Sequence, residues 1–119
     1  MSGDRAYLEH IHEAIRRVME YTATGRDDFM ARTLLQDGVI RNLEIVGEAT
    51  KKLSPELRAR YPELPWKGMT GLRDVLIHNY LGVDLRMVWD VVANRLPELD
   101  RHISVILREV STDPTDARR

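Results

Sequence analysis

The stretch Gly71-Leu72-Arg73-Asp74-Val75-Leu76-Ile77-His78-Asn79-Tyr80 carries an arginine, a histidine five positions on and a tyrosine two beyond it. Pro65-Trp66 stands upstream of it and Gly82 downstream. Proline suits a helix opening and glycine a helix stop, so the spacing predicts one helix from Trp66 to about Leu81. On such a helix, positions five apart differ by about 140° after whole turns are removed. Arg73 and His78 of one chain therefore point in different directions. Two copies of this helix meeting across a two-fold axis would bring an Arg and a His into one composite cleft. Ile40 and Ile45, together with the apolar side of the motif helix, are the candidate contacts for such a dimer. Tyr80 falls in the last turn, at the rim.

Outward from the motif, the chain reads as further helices. Residues 4 to 23 place Leu8, Ile11, Ile15, Val18 and Thr22 at alternating four- and three-residue spacing, one apolar stripe that Tyr7 and Met19 widen. Asp4 is the expected N-cap and Gly25 the expected stop. The run Glu9-His10-Ile11-His12-Glu13 resembles a metal site only in composition. Its two histidines lie about 200° apart on a helix and cannot share an ion. Residues 27 to 53 form a second helical segment, expected to be irregular near Phe29 and again at Gly38. Leu35, Val39, Leu43, Val46, Thr50 and Leu53 make its stripe, while Ile40 and Ile45 fall off it. Gly47 inside a helix calls for close packing of a second helix. Arg41, Glu44 and Glu48 share a face and read either as a surface ion-pair ladder or as a polar wall beside Arg73.

Ser54-Pro55 is an N-cap with proline at the first helical position, opening a short helix to about Arg60. Pro62 and Pro65 forbid a continuous helix through the connector. Asp84 caps the next helix, whose core face is Leu85, Val88, Trp89 and Val92. Pro97 is expected to kink or restart it, and Ile103, Ile106, Leu107 and Val110 carry the last helix. Trp66 and Trp89 read as core residues. There is no strand alternation and no internal repeat. The fold class is all-α, an up-and-down bundle of four to five helices.

The chain has 119 residues, which sets one domain as the expectation: residues 1–110 as the helical domain and 111–119 as a flexible C-terminal tail. The absence of cysteine excludes disulfides and thiolate metal sites and fits a reducing cytoplasm. No signal peptide or membrane span is visible. A formal net charge of -1 gives no global field toward nucleic acid, so any RNA contact must rest on a local patch.

The motif Arg73-x4-His78-x-Tyr80 resembles that of the HEPN superfamily. Its flanks are similar to the HepT branch: Val39-Ile40-Arg41-Asn42-Leu43-Glu44-Ile45-Val46-Gly47-Glu48-Ala49, Tyr61-Pro62-Glu63-Leu64-Pro65-Trp66, Gly82-Val83-Asp84-Leu85, Val88-Trp89 and Leu96-Pro97-Glu98-Leu99. The likeness runs from about Tyr7 to Ile106. It implies a HEPN-like homodimer with the motif at its cleft, and a toxin of a toxin–antitoxin pair with Arg73 and His78 as the catalytic pair. It further implies that a minimal nucleotidyltransferase antitoxin modifies Tyr80 with AMP. Asp74 matches a polar position that supports the pair, with an orienting role. Arg presents a fork that suits phosphate, and His transfers protons near neutrality. The pair suffices for RNA cleavage with no metal and no cofactor, leaving a 2',3'-cyclic phosphate. The competing readings are a non-catalytic binding partner that presents substrate to the nucleotidyltransferase, and a purely structural helical dimer.

Overall fold

A computed structural model describes residues 3–78 and 84–111, and for 73, 75, 77, 78 and 111 it gives the helix backbone alone. Among the described residues there are helices and no strands. In chain order they are α1 (Asp4–Tyr21), α2 (Arg26–Ala31), α3 (Thr33–Lys51), α4 (Pro55–Arg60), α5 (Trp66–His78), α6 (Leu85–Asp90), a π turn (Val91–Arg95) and α7 (Leu96–Ser111). The four long helices α1, α3, α5 and α7 form an up-and-down bundle. The short ones link them.

The apolar stripes read from the sequence are the seams of this bundle. Leu8, Ile11, Ile15 and Val18 of α1 are fully buried, as are Val39 and Leu43 of α3 and Ile103 of α7. Burial of each such side chain is worth about 1.5–3 kcal/mol, which outweighs the modest intrinsic preference of any of these segments for helix. Helix α1 runs antiparallel to α3: Tyr7 shares a cleft with Lys52 at one end. At the other end the Tyr21 ring lies so near Gly38 that a Cβ there would come within 3.0 Å of it. Gly38 therefore sits inside a regular helix.

Of the two expected irregularities, the one at Gly38 is not found, and the one near Phe29 is found three residues on, at Arg32. This residue is extended, with φ -119° and ψ 110°, and separates α2 from α3. The carbonyls left open at the end of α2 are taken up by the Gln36 amide, which donates to Phe29 O at 3.0 Å and Met30 O at 3.1 Å. Gly25 does more than stop α1. At φ 100° it holds the left-handed geometry from which α2 starts.

Asp4 differs from the expectation of an N-cap. Gly3 occupies the cap position and Asp4 is the first residue of α1, only 3% exposed. Its carboxylate instead accepts from Ser54 N at 2.8 Å and Ser54 Oγ at 2.6 Å, fifty residues on. Ser54 Oγ in turn accepts from Leu57 N at 3.1 Å, so one hydroxyl joins the openings of α1 and α4. Removing a buried charged acceptor strands two donors, so Asp4→Ala is expected to lower stability by about 2–3 kcal/mol. Thermal melts of parent and variant, read by circular dichroism, check this.

Pro97 acts as expected on a continuous rod. It lacks an N–H and its ring crowds the carbonyl four residues back. The strain is absorbed one turn earlier, where the Leu96 N–H reaches back five residues to Val91 O and makes the π turn. Asp84 caps α6 through Oδ1, which accepts from Arg86 N at 3.0 Å and Met87 N at 3.4 Å. Trp89 stacks on buried Phe29 with ring centroids 5.5 Å apart. The expected helix end at Leu81, the Gly82 stop and the C-terminal tail beyond Ser111 lie outside the described residues.

Candidate active site

The motif helix α5 is fixed at its base before any chemistry is considered. Trp66, its first residue, donates from Nε1 to Arg58 O at 3.1 Å and Tyr61 O at 2.8 Å, which closes the C-terminal end of α4. The Tyr61 hydroxyl donates to Glu109 of α7. Met69 and Leu76, seven residues apart, are buried and set which side of α5 faces the core.

Tyr61 has a displaced pKa. Burial, then the hydrogen bond and negative charge of Glu109, push its phenol up to about 12. A raised phenol pKa means that the folded state holds this proton more tightly than the unfolded chain does. The contribution is complete below pH 10 and is lost as pH climbs from 10 through 12. Stability measured from pH 9 to 12 should therefore fall more steeply for the parent than for Tyr61→Phe, by about 2–3 kcal/mol over that window.

Arg73 and His78 both lie on α5, Arg73 in its middle and His78 at its last residue. Tyr80 lies outside the described residues. Asp74 is exposed, and its two carboxylate oxygens approach Lys51 Nζ of α3 at 3.3 and 3.4 Å. This pair ties the motif helix to α3 at the surface, and residue spacing held no sign of it. Gly47, expected where a second helix approaches, is buried on α3, which packs against α5.

The polar residues of α3 fall into a second feature. Arg41, Ile45, Glu48, Ala49 and Lys52 line one side of a cleft of about 200 Å³, with Tyr7 and His10 of α1 on the other. Arg41 and Glu44 make a long ion pair of 3.9 Å. Ile40 and Ile45 are both half-buried against the chain's own core. Among the described residues, the large apolar side chains left exposed are Leu34, at 75%, and Val105, at 41%. The two histidines of α1 diverge as helix geometry requires. His10 meets the Tyr7 ring edge-on at 6.3 Å. His12 faces α7, with Nε2 3.6 Å from Asp100 and 3.5 Å from the Ser104 hydroxyl.

A larger, mostly apolar cavity of about 420 Å³ opens between the first half of α5 and α7, over Met69, Leu72, Leu96 and Leu99, with Arg95 and His102 at its edge. No group of three or more His, Asp or Glu among the described residues converges as metal ligands. No helix among them is long and apolar enough to cross a membrane.

Comparison with known proteins gives a consistent result. The family model described as "Ribonuclease HepT-like" matches residues 11–106. A Methanocaldococcus jannaschii protein named "Gamma-glutamylcyclotransferase and putative RNase" is 45% identical over 107 residues, covering 89% of this chain and 48% of the relative. The chain thus spans about half the length of that protein. A second protein of the same organism, named "Putative RNase", is 38% identical over 107 residues, covering 89% of this chain and 88% of the relative. A Thermococcus cleftensis protein named "Probable ribonuclease HepT" is 44% identical over 94 residues, covering 78% of this chain and 86% of the relative. No solved structure matches.

Proposed function

The chain belongs to the HepT-like ribonuclease family, and from that membership we propose that it is a metal-independent RNA endonuclease, the toxin of a toxin–antitoxin pair. The observation that supports this reading is the span of the family match. It takes in the whole of α5, and with it Arg73 and His78. In the proposed reaction a base removes the proton of a ribose 2'-OH, and the freed oxygen attacks the adjacent phosphorus. The bond to the 5'-oxygen breaks and that oxygen takes up a proton. The products are a 2',3'-cyclic phosphate and a 5'-hydroxyl. His78 is assigned the proton transfer. Arg73 is assigned the phosphoryl oxygens, whose added charge its fork stabilises most at the transition state. Asp74 orients the pair from the outer face of α5, in a position that its contact with Lys51 already restrains.

Helix geometry separates residues five apart by about 140°, so the working cleft is assigned to a two-fold dimer in which the motif helices of two copies face each other. Silencing is assigned to a nucleotidyltransferase partner that attaches AMP to Tyr80. The testing experiment uses the purified lone chain. It should sediment as a dimer at micromolar concentration and cut single-stranded RNA in the presence of EDTA, leaving termini that require cyclic-phosphate opening before ligation. A monomer removes the composite cleft, and activity that vanishes with EDTA removes the mechanism.

A further inference from the structure

We propose that the cleft between α1 and α3 is a strand-positioning subsite for RNA, holding nucleotides beside the one that is cut. The inference rests on the ribonuclease reading and adds to it a surface outside the motif helix. Along α3 and its C-cap the cleft is a single stripe: Arg41, Ile45, Glu48 with Ala49, then the cap residue Lys52, at spacings of four, three and three to four residues. Arg41 and Lys52, eleven residues apart, stand roughly 16 Å from each other along the axis, with the apolar Ile45 and Ala49 between them. The facing wall is aromatic, formed by the Tyr7 and His10 rings held edge-to-face at an interplanar angle of 86°.

Cations at the two ends with ring and aliphatic surface between them match the alternation of a single strand. Phosphates go to Arg and Lys, and bases lie on rings and apolar floor. The cations are available for that use. Among the described residues the ion pair of Arg41 is its 3.9 Å contact with Glu44, while Arg17 on α1 is held by Glu13 at 2.7 Å. Lys52 and His10 have no ion pair among the described residues.

The cleft also lies close to the motif helix. Lys51, the neighbour of Lys52, reaches Asp74 directly beside Arg73. One helix, about 10–12 Å across with its side chains, separates the two features. A net charge of -1 leaves the molecule without a general attraction for RNA, so local placement of this kind has to supply the hold.

The test is the double variant Arg41→Glu, Lys52→Glu, both on exposed side chains. A labelled single-stranded 12-mer is followed by fluorescence anisotropy over a salt series, and cleavage is followed on the same 12-mer and on a dinucleotide too short to reach the cleft. The expected result is about a tenfold or greater loss of 12-mer affinity, with the salt slope reduced by about 1.4 once two phosphates are no longer neutralised. KM for the 12-mer rises and turnover of the dinucleotide stays within about twofold. Parent-like binding and cutting of the 12-mer overturns the proposal, as does equal loss on both substrates, which would put these residues at the cutting centre. A variant that binds RNA normally but no longer pairs with a protein partner also overturns it, since the cleft would then be a protein interface. Binding is read apart from cutting. A parent that cuts neither substrate sinks the ribonuclease reading, while anisotropy still decides the cleft.

Discussion

Arg73→Ala is expected to reduce RNA cleavage by about 10²–10³, the usual loss when one preorganised donor to a developing oxyanion is removed. His78→Ala is expected to lose about 10²–10⁴ and, with it, the pH dependence near neutrality that proton transfer by an imidazole produces. The two substitutions together should cost little more than the worse one alone, because both act in a single transition state. The fold is expected to survive either change. The packing of α5 is anchored at Met69, Leu76 and Trp66. Arg73→Lys separates charge from shape, since lysine keeps the charge and loses the planar fork. Cleavage rates of the purified variants, with melts recorded alongside, and growth of cells expressing the lone chain check all of this. An Arg73→Ala variant as active and as toxic as the parent would end the assignment.

Tyr80→Phe is expected to leave fold and cleavage intact and to abolish silencing by the nucleotidyltransferase partner with ATP. The expected block is electrostatic and steric. AMP on a phenol two residues past His78 brings a phosphodiester charge and a bulky base next to the catalytic pair. The new phosphate would suit the same guanidinium fork that would hold the RNA phosphate, and the base would exclude the strand by volume. Mass spectrometry after incubation with ATP and the partner should show added AMP on the parent and none on the Phe variant, and cells should be rescued from the first only. If the Phe variant is modified and neutralised like the parent, the acceptor is another group and the switch has to be assigned afresh.

Periodicity made the bundle legible because it depends on one variable, the burial of every third or fourth side chain. Leu8 to Val18 and Val39 to Val46 could be placed on seams from that alone. The break expected near Phe29 could be placed only roughly, and its position at Arg32 and its form could not be read. No proline or glycine marks it, and its stability comes from Gln36 reaching back to two carbonyls, a contact between segments that each look helical. Pro97 announced a disturbance without its form, because a kink, a restart and a π turn all relieve the same clash. Of the candidate site, the motif residues were legible as a pattern. Lys51 with Asp74, and Tyr7 and His10 facing Arg41, were not. They are distant in sequence and are joined only when α1, α3 and α5 dock.

The Asp4–Ser54 tie has a consequence in time. Fifty residues separate its partners, so as the chain is made at about 5–20 residues per second the Asp4 carboxylate waits roughly 3–10 s for Ser54 to emerge. Until then the opening of α1 is held by water alone, and α1 can find its place only after α3 has left the ribosome. A tie between residues fifty apart also carries a loop-closure cost in the complete chain, so it is expected to form late and to contribute little at the folding barrier. Its loss should therefore appear as faster unfolding, with the folding rate almost unchanged.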